Sequence, residues 1–328
     1  MKKTLLTILV LIFCSLTASS VVKGDVNGDN LVSSVDITAL YNYLLNNDTS
    51  SIINGDQNGD GIISSVDITI IYNILLGNDT PDTGEITEYT VNGVTFKMVT
   101  VQGGTFSMGG TAEQGDDVFN SERPVHQVTL SSFAIGQTEV TQELWQAVMG
   151  TNPSAFNSTY YGIDLQRPVE RVTWNDCQQF IAALNQLTGK TFRLLTEAEW
   201  EYAARGGNKS QGYKYSGSND INEVALYWGN IQSHSVGTAG YGTQAVATRL
   251  PNELGIYDMS GNVLEWCSDW YGDYSGEAQT NPTGPESGYR RVLRGGSFAR
   301  DADVCRVSCR DGWSPTGLFS DVGLRLAM

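Results

Sequence analysis

Residues 25–45 return as residues 56–76, offset by 31, with the same residue at 14 of the 21 aligned positions. A unit this short cannot close a core alone, so two copies must fold as one body. Each copy opens on a loop of fixed spacing: Asp25-x-Asn27-x-Asp29 closing at Asp36, then Asp56-x-Asn58-x-Asp60 closing at Asp67. These are the places where an EF-hand-like loop supplies side-chain oxygens, and Leu31 and Ile62 stand where it supplies a backbone carbonyl. Oxygen-only ligation suits a hard cation, so Ca²⁺ is the expected cofactor. Gly61 sits at the sharp turn of the second loop, and Asn30 holds that place in the first, where Asn tolerates the left-handed conformation.

A helix is expected after each loop. Ile37, Leu40, Tyr41, Leu44 and Leu45 recur at helical spacing, as do Ile68, Ile71, Tyr72, Leu75 and Leu76. The two apolar stripes should pack on each other. No entering helix precedes either loop. The one-helix repeat of residues 21–80 resembles a type I dockerin, a small all-α domain of paired F-hands. The resemblance implies a cohesin-type partner, met through Ser34-Val35 and Ser65-Val66. A structural spacer without a partner is the alternative.

Charge agrees with cation binding. The formal net charge is −16, and residues 21–80 hold eight Asp, no Glu and Lys23 as the only basic residue. That balance argues against nucleic acid, which is held by Lys and Arg against phosphate. Residues 1–20 read as a secretory signal: Lys2 and Lys3, an apolar run from Leu5 to Leu16, then small residues with cleavage near Ser20. The run is short of the roughly 20 residues that a membrane span needs. Cys14 follows the bulky Phe13, which does not suit lipoprotein processing. The mature chain is expected outside the cell, at the surface or in the periplasm. Residues 81–89, polar and rich in turn formers, read as a linker.

Residues 90–328 read as α+β with much irregular structure. Helices are expected at Thr141–Met149, at Trp174–Leu187 and from Thr196, where Thr196 and Glu199 form a capping box. Strands are expected at Phe96–Val101, Val128–Leu130 and Arg291–Leu293. Six short segments then fall in a characteristic order. They are Gly103-Gly104-Thr105-Phe106-Ser107-Met108-Gly109, Glu139-Val140-Thr141, Arg167-Pro168-Val169, the run Arg193 to Gly207, the run Gly255 to Trp266, and Arg294-Gly295-Gly296-Ser297-Phe298. The chain closes on Gly323-Leu324-Arg325-Leu326. In this order they resemble the formylglycine-generating enzyme (sulfatase-modifying factor) family, whose fold is related to the C-type lectins.

The resemblance implies an oxidase that holds copper(I) on two cysteines after Gly-Gly-Ser and converts a substrate cysteine to formylglycine. Here Arg300 stands at the first thiol position and Cys305 at the second. Copper(I) prefers thiolates, and a fixed cation repels it. The pair therefore reads as broken, copper is not expected, and Cys305 is the one catalytic residue to consider if any activity remains. Cys309 lies four residues on; were that stretch extended, the two Cα atoms would be roughly 13 Å apart. Cys305 is expected instead as a buried or disulfide-bonded thiol. The pairing of Cys177, Cys267, Cys305 and Cys309 is open, with Cys267 the favoured partner.

The family also implies calcium near Asn262, Val263 and Glu265, and a further site beginning at Asn230-Ile231, whose downstream Asp has no match here. The two histidines, His126 and His234, are 108 positions apart and form no ligand motif.

The C-terminal segment adds a pattern of its own. Between framework residues stand Ala299, Arg300, Asp301, Asp303, Val304, Cys309, Asp311, Gly312, Gly317, Phe319, Ser320, Asp321 and Val322. Each is reachable by changing the first two bases of an Asn codon. This resembles the variable proteins of diversity-generating retroelements. It points to a ligand surface built on Arg300, Asp301, Asp303, Asp311, Trp313, Phe319 and Asp321, facing a protein or glycan. The expected function is thus a secreted, non-catalytic binding module carried on a dockerin-like tether to an extracellular carbohydrate-degrading complex. An active formylglycine-generating oxidase and a retroelement-diversified binder are the alternatives.

Overall fold

The computed structural model describes residues 25–29, 31–46, 48–55, 63–75, 85–116, 118–231, 238 and 240–328. The chain divides into two units, residues 1–80 and 81–328. No helix among the described residues is long and apolar enough to cross a membrane.

In the first unit, α1 (Ser34–Asn46) and α2 (Ser65–Leu75) pack on each other. Ile37, Ala39 and Leu40 of α1 meet Ile68 and Ile71 of α2, with Val26 of the first loop beneath them. The core therefore sits at the loop ends of the helices. Tyr41, Leu44 and Leu45, expected in the buried stripe, are exposed instead, Leu45 by 76%. Among the described residues of this unit, no third helix covers the far half of the stripe. Of the expected cation ligands, Asp56, Asn58, Asp60 and Ile62 lie outside the described residues, as do the signal segment, Leu76 and His234.

The described residues of the second unit form three sheets. Strands β1 (Ile86–Val91), β2 (Val94–Val101), β5 (Phe133–Gly136), β12 (Leu326–Ala327) and β6 (Arg193–Leu194) form one in that order. β10 (Arg310–Trp313), β9 (Arg291–Arg294), β7 (Leu264–Trp270) and β11 (Val322–Gly323) form the second. β3 (Gly104–Met108), β4 (His126–Leu130) and β8 (Gln279–Thr280) form the third. Strand β1 begins inside the stretch expected as linker. Its residues Ile86 to Val91 pair antiparallel with Val99 to Val94 of β2, so residues 86–89 belong to the sheet.

Helices α3 (Gln142–Met149), α4 (Trp174–Thr188) and α5 (Glu197–Ala204) start as the sequence expects. Each has a threonine cap: Thr141, Thr173 and Thr196 accept from the amide three residues on. Glu199 returns its carboxylate to the Thr196 amide at 2.9 Å, closing the capping box. The short helices α6 (Ile221–Val224) and α7 (Trp228–Ile231) follow.

The last 30 residues are woven into this body. β10 pairs with β9, β11 with β7, and β12 lies between β5 and β6. Arginines anchor the weave. Arg294, Arg306, Arg310 and Arg325 are all buried, and each meets a buried glutamate: Glu201, Glu122, Glu197 and Glu265 respectively.

Candidate functional site

The loop after β9 turns sharply at Gly295 and Gly296, which have φ of 99° and 70°. A Cβ on Gly296 would come within 2.5 Å of the Cys305 sulfur, so only glycine fits the conformation and the space together. The chain then passes Ser297, Phe298 and Arg300 and enters a single 3-10 turn, Ala302–Cys305, with Asp301 at its N-cap. A further turn, closed by the Cys309 amide on the Arg306 carbonyl, leads into β10. The stretch from Cys305 to Cys309 is thus folded, and the separation expected from an extended chain does not hold.

This path borders a cavity of about 390 Å³ above the second sheet. Leu264, Leu293, Gly295 and Gly296 line it from the sheet side, and Arg300, Val304, Cys309 and Asp311 come from the C-terminal segment. Phe119 and Tyr271 complete the wall. No local motif marks those two aromatics, because they arrive from separate loops. Trp228, 39% exposed, meets the same segment through its amide on the Arg300 carbonyl at 2.9 Å.

The expected surface residues are linked to one another. Arg300 Nε lies 3.4 Å from an Asp321 oxygen, which also accepts from Ser297 Oγ at 3.0 Å. Trp313 donates its indole N–H to Asp311 at 3.2 Å and packs on the Phe319 ring at 4.7 Å. Asp301 is exposed and Asp303 half-buried, both on the 3-10 turn. A cation, several carboxylates and two aromatics thus share one irregular face on a rigid support.

The thiols contrast with that face. Cys305 is fully buried among Tyr215, Ile221 and Val224, whereas Cys267 belongs to a different core cluster with Trp200 and Met259. All four described cysteines are free, so the expected Cys305–Cys267 disulfide is not formed. Burial pushes the Cys305 thiol far up, and nearby Cys309 adds to the shift. Burial likewise pushes Cys309 up to about 12. A copper(I) ion needs thiolates. Arg300, at the place the resemblance gives to the first thiol, is a fixed cation that would repel the ion, so the residues present do not fit the metal.

The expected calcium ligands are placed as follows. Glu265 is paired with Arg325 at 2.7 Å and accepts the Trp200 indole N–H at 2.7 Å. Asn262 donates to Glu139 at 2.7 Å and accepts from the Gln244 amide, while the Val263 amide also reaches Glu139. Asn230 spends its amide on the Tyr227 N–H and the Ala225 carbonyl, and Ile231 is core. In the first loop, Asp25 accepts from the Gly28 amide at 2.7 Å, and Asp36 from Val26 and Ser33 at 2.8 Å each. Asn27 and Asp29 bond each other at 3.1 Å, and Leu31 is exposed. Among the described residues, no three His, Cys, Asp or Glu side chains are gathered as a metal site. The loop's donors are nonetheless all oxygen and include three carboxylates, which fits a hard cation in chemistry. Ser34, Val35 and Ser65 are exposed at the starts of the two helices, and Val66 follows in α2.

Comparison with known proteins agrees with this architecture. Residues 84–328 match the model of the sulfatase-modifying factor enzyme 1-like domain. The chain belongs to the sulfatase-modifying factor family. Residues 23–76 also match the type I dockerin domain. The chaperone protein LppX of Paenibacillus barcinonensis is 34% identical over 276 residues, covering 71% of this chain and 89% of that protein. The formylglycine-generating enzyme of Thermomonospora curvata is 30% identical over 291 residues, covering 70% and 92%. Among solved structures, Treponema denticola variable protein 1 superposes with a TM-score of 0.64 at 36% identity, covering 74% of this chain and 98% of that one. The second unit thus has the mixed α+β fold of the family, and the first is a dockerin domain.

Proposed function

We propose that the family domain is a non-catalytic binding module, and that its ligand meets the face around Arg300, Asp311, Trp313, Phe319 and Asp321. One observation carries the reading: burial alternates along the segment as a scaffold and a display surface would. Cys305, Arg306, Val307, Arg310 and Gly323 to Leu326 are buried, while Ala299, Arg300, Asp301, Asp303, Val304, Asp311, Gly317, Phe319, Ser320 and Asp321 all reach solvent. Cys309, Gly312 and Val322 depart from the pattern and are buried, and the framework residue Pro315 departs from it in being only half-buried. The Treponema denticola relative is by name a variable protein, which supports diversification of this segment. Arg300 at the first copper position argues against the oxidase named in other relatives.

The dockerin domain is proposed to bind two calcium ions and a cohesin-type partner, placing the module in an extracellular assembly after removal of residues 1–20. Exposed Val35, Tyr41, Leu44 and Leu45 on α1 support a partner there, since they leave apolar surface uncovered.

Two measurements test the reading. The purified protein is incubated with copper(I), O₂ and a Cys-x-Pro-x-Arg peptide, and mass spectrometry is expected to find no formylglycine. Copper-dependent oxidation would overturn the non-catalytic assignment. Sequencing the locus tests diversification. The expected finding is a near-copy of the segment coding for residues 298–322, with adenines at the variable codons and a reverse transcriptase gene nearby. Absence of both would leave a fixed rather than a diversified surface.

A further inference from the structure

A second cavity, of about 310 Å³, lies apart from the face described above, although Arg310 lines both. Its volume is that of a small-molecule site, which begins at roughly 300 Å³. Glu197 at the start of α5, Asp269 of β7 and Arg310 of β10 border it. Trp270 and Tyr274 form sides, and Asp273 and Thr283 belong to exposed loops at its edge.

Acidic side chains outnumber basic ones among its lining residues. Arg310 takes both oxygens of Glu197 at 2.7 Å each, and the Tyr274 hydroxyl donates to the same carboxylate at 3.1 Å. Arg294 lies 3.4 Å from the same carboxylate, so Glu197 is fully compensated. Asp269 is different. Its Oδ2 accepts from the Glu197 amide at 3.0 Å and from Ser268 Oγ at 2.9 Å. No described residue donates to Oδ1, although the side chain is only 4% exposed. Burial, then the charge of Glu197, pushes this carboxyl up to about 7. One oxygen of this carboxyl is thus left for a donor supplied from the cavity. Arg310 is the one Lys or Arg among the lining residues, and it is committed to Glu197. Asp273, exposed at the edge, adds a further acidic side chain.

We propose that this cavity binds a ligand through a primary ammonium group held at Asp269 Oδ1, with Trp270 and Tyr274 enclosing its carbon body. An ammonium supplies a donor to that oxygen and a positive charge that favours the ionised carboxylate. A neutral hydroxyl supplies the donor alone and does nothing to favour the ionised form. A free alkylamine and the lysine side chain of a partner protein share this chemistry.

The test titrates the full-length protein with n-butylammonium, Nα-acetyl-lysine amide and n-butanol, followed by calorimetry and by tryptophan fluorescence. Both ammonium probes should bind, and butanol should not. Asp269→Asn keeps an oxygen for the Glu197 amide, removes the charge, and should weaken binding by about tenfold or more. Thr283→Trp leaves Asp269 intact, fills the edge of the cavity from an exposed position, and should weaken binding by a similar factor. Tighter binding of the lysine amide assigns the site to a partner's side chain, and tighter binding of butylammonium to a free amine; either supports the site. No binding of either probe, equal binding of butanol, or unchanged affinity in both variants would overturn it.

Discussion

Arg325 donates to both oxygens of Glu265 at 2.7 to 3.0 Å, tying the end of the chain to strand β7 across 60 residues. Both side chains are essentially solvent-free. Glu139 and Asp258 are buried nearby, and burial followed by the charges of Asp258 and Glu265 pushes the Glu139 carboxyl far up. Arg325 is thus the cation that makes this acidic core tolerable. Arg325→Met removes it and strands Glu265. Urea denaturation should show a loss of about 3–5 kcal/mol, the cost of breaking a buried pair on one side. Arg325→Met with Glu265→Gln should recover part of the loss, because the stranded charge is then gone. A loss under about 1 kcal/mol for the single variant would show that the core accepts the charge without its partner.

Metal binding should be coupled to folding of the first unit, because its carboxylates repel one another until a cation neutralises them. Calorimetry on the full chain should find two calcium ions taken up by residues 21–80, and Asp36→Ala or Asp67→Ala should each remove one. Chelation should lower the melting of this unit and leave the second largely unchanged. Uptake that is the same in both variants would show that calcium binds elsewhere.

Stability of the second unit should change with pH in an unusual direction. Burial raises Glu170 to about 7 and Asp269 to about 7, with Asp269 raised further by Glu197. Between their ordinary values near 4 and about 7, the folded state holds these protons while the unfolded chain has lost them. The stabilisation from protonation is therefore present at the low end and lost as pH rises through about 7. The melting temperature should fall from pH 5 to pH 7.5, and Asp269→Asn should flatten part of that slope. Below pH 5 the opposite set takes over: burial alone would raise Glu197 and Glu122, but Arg310, Arg294 and Arg306 outweigh it and hold them low. Their contribution is lost in acid. A melting temperature that rises steadily from pH 5 to pH 7.5 would contradict the assignment.

How much of this was legible beforehand follows from the range of each signal. The threonine caps and the Thr196–Glu199 box are local, and the structure starts α3, α4 and α5 where they stand. The family segments order the fold because glycines such as Gly296 and pairs such as Arg294–Glu201 constrain it from many places. Strand β1 was hidden, since its burial pattern is mostly exposed and its partner, not its own residues, makes it a strand. The Cys305–Cys267 pairing failed for a similar reason: sequence spacing says nothing of which core cluster a thiol enters. Phe119, Tyr271 and Asp269 could not be singled out, because their roles arise only where distant loops meet.

The display surface and its scaffold should separate cleanly under substitution. Trp313 is 39% exposed, and Arg300 touches Asp321 only at 3.4 Å with a side chain 40% exposed. Exposed ion pairs contribute about 0–1 kcal/mol. Arg300→Ala, Asp311→Ala, Asp321→Ala and Trp313→Ala, made singly, should each therefore cost no more than about 1 kcal/mol, and Trp313 the most through its contact with Phe319. The buried arginines beside them should behave otherwise. Arg306 meets both oxygens of Glu122 at 2.7 Å, and Arg310 does the same with Glu197. Arg306→Ala and Arg310→Ala should each cost about 3–5 kcal/mol by leaving a buried carboxylate alone. Neighbouring residues on one loop would then differ in cost by several kcal/mol, which is what a variable face on a fixed frame requires. Chemical denaturation of the six variants decides it. Comparable losses for the two groups would mean that Arg300, Asp311, Trp313 and Asp321 are part of the frame, and the binding face would have to be sought elsewhere.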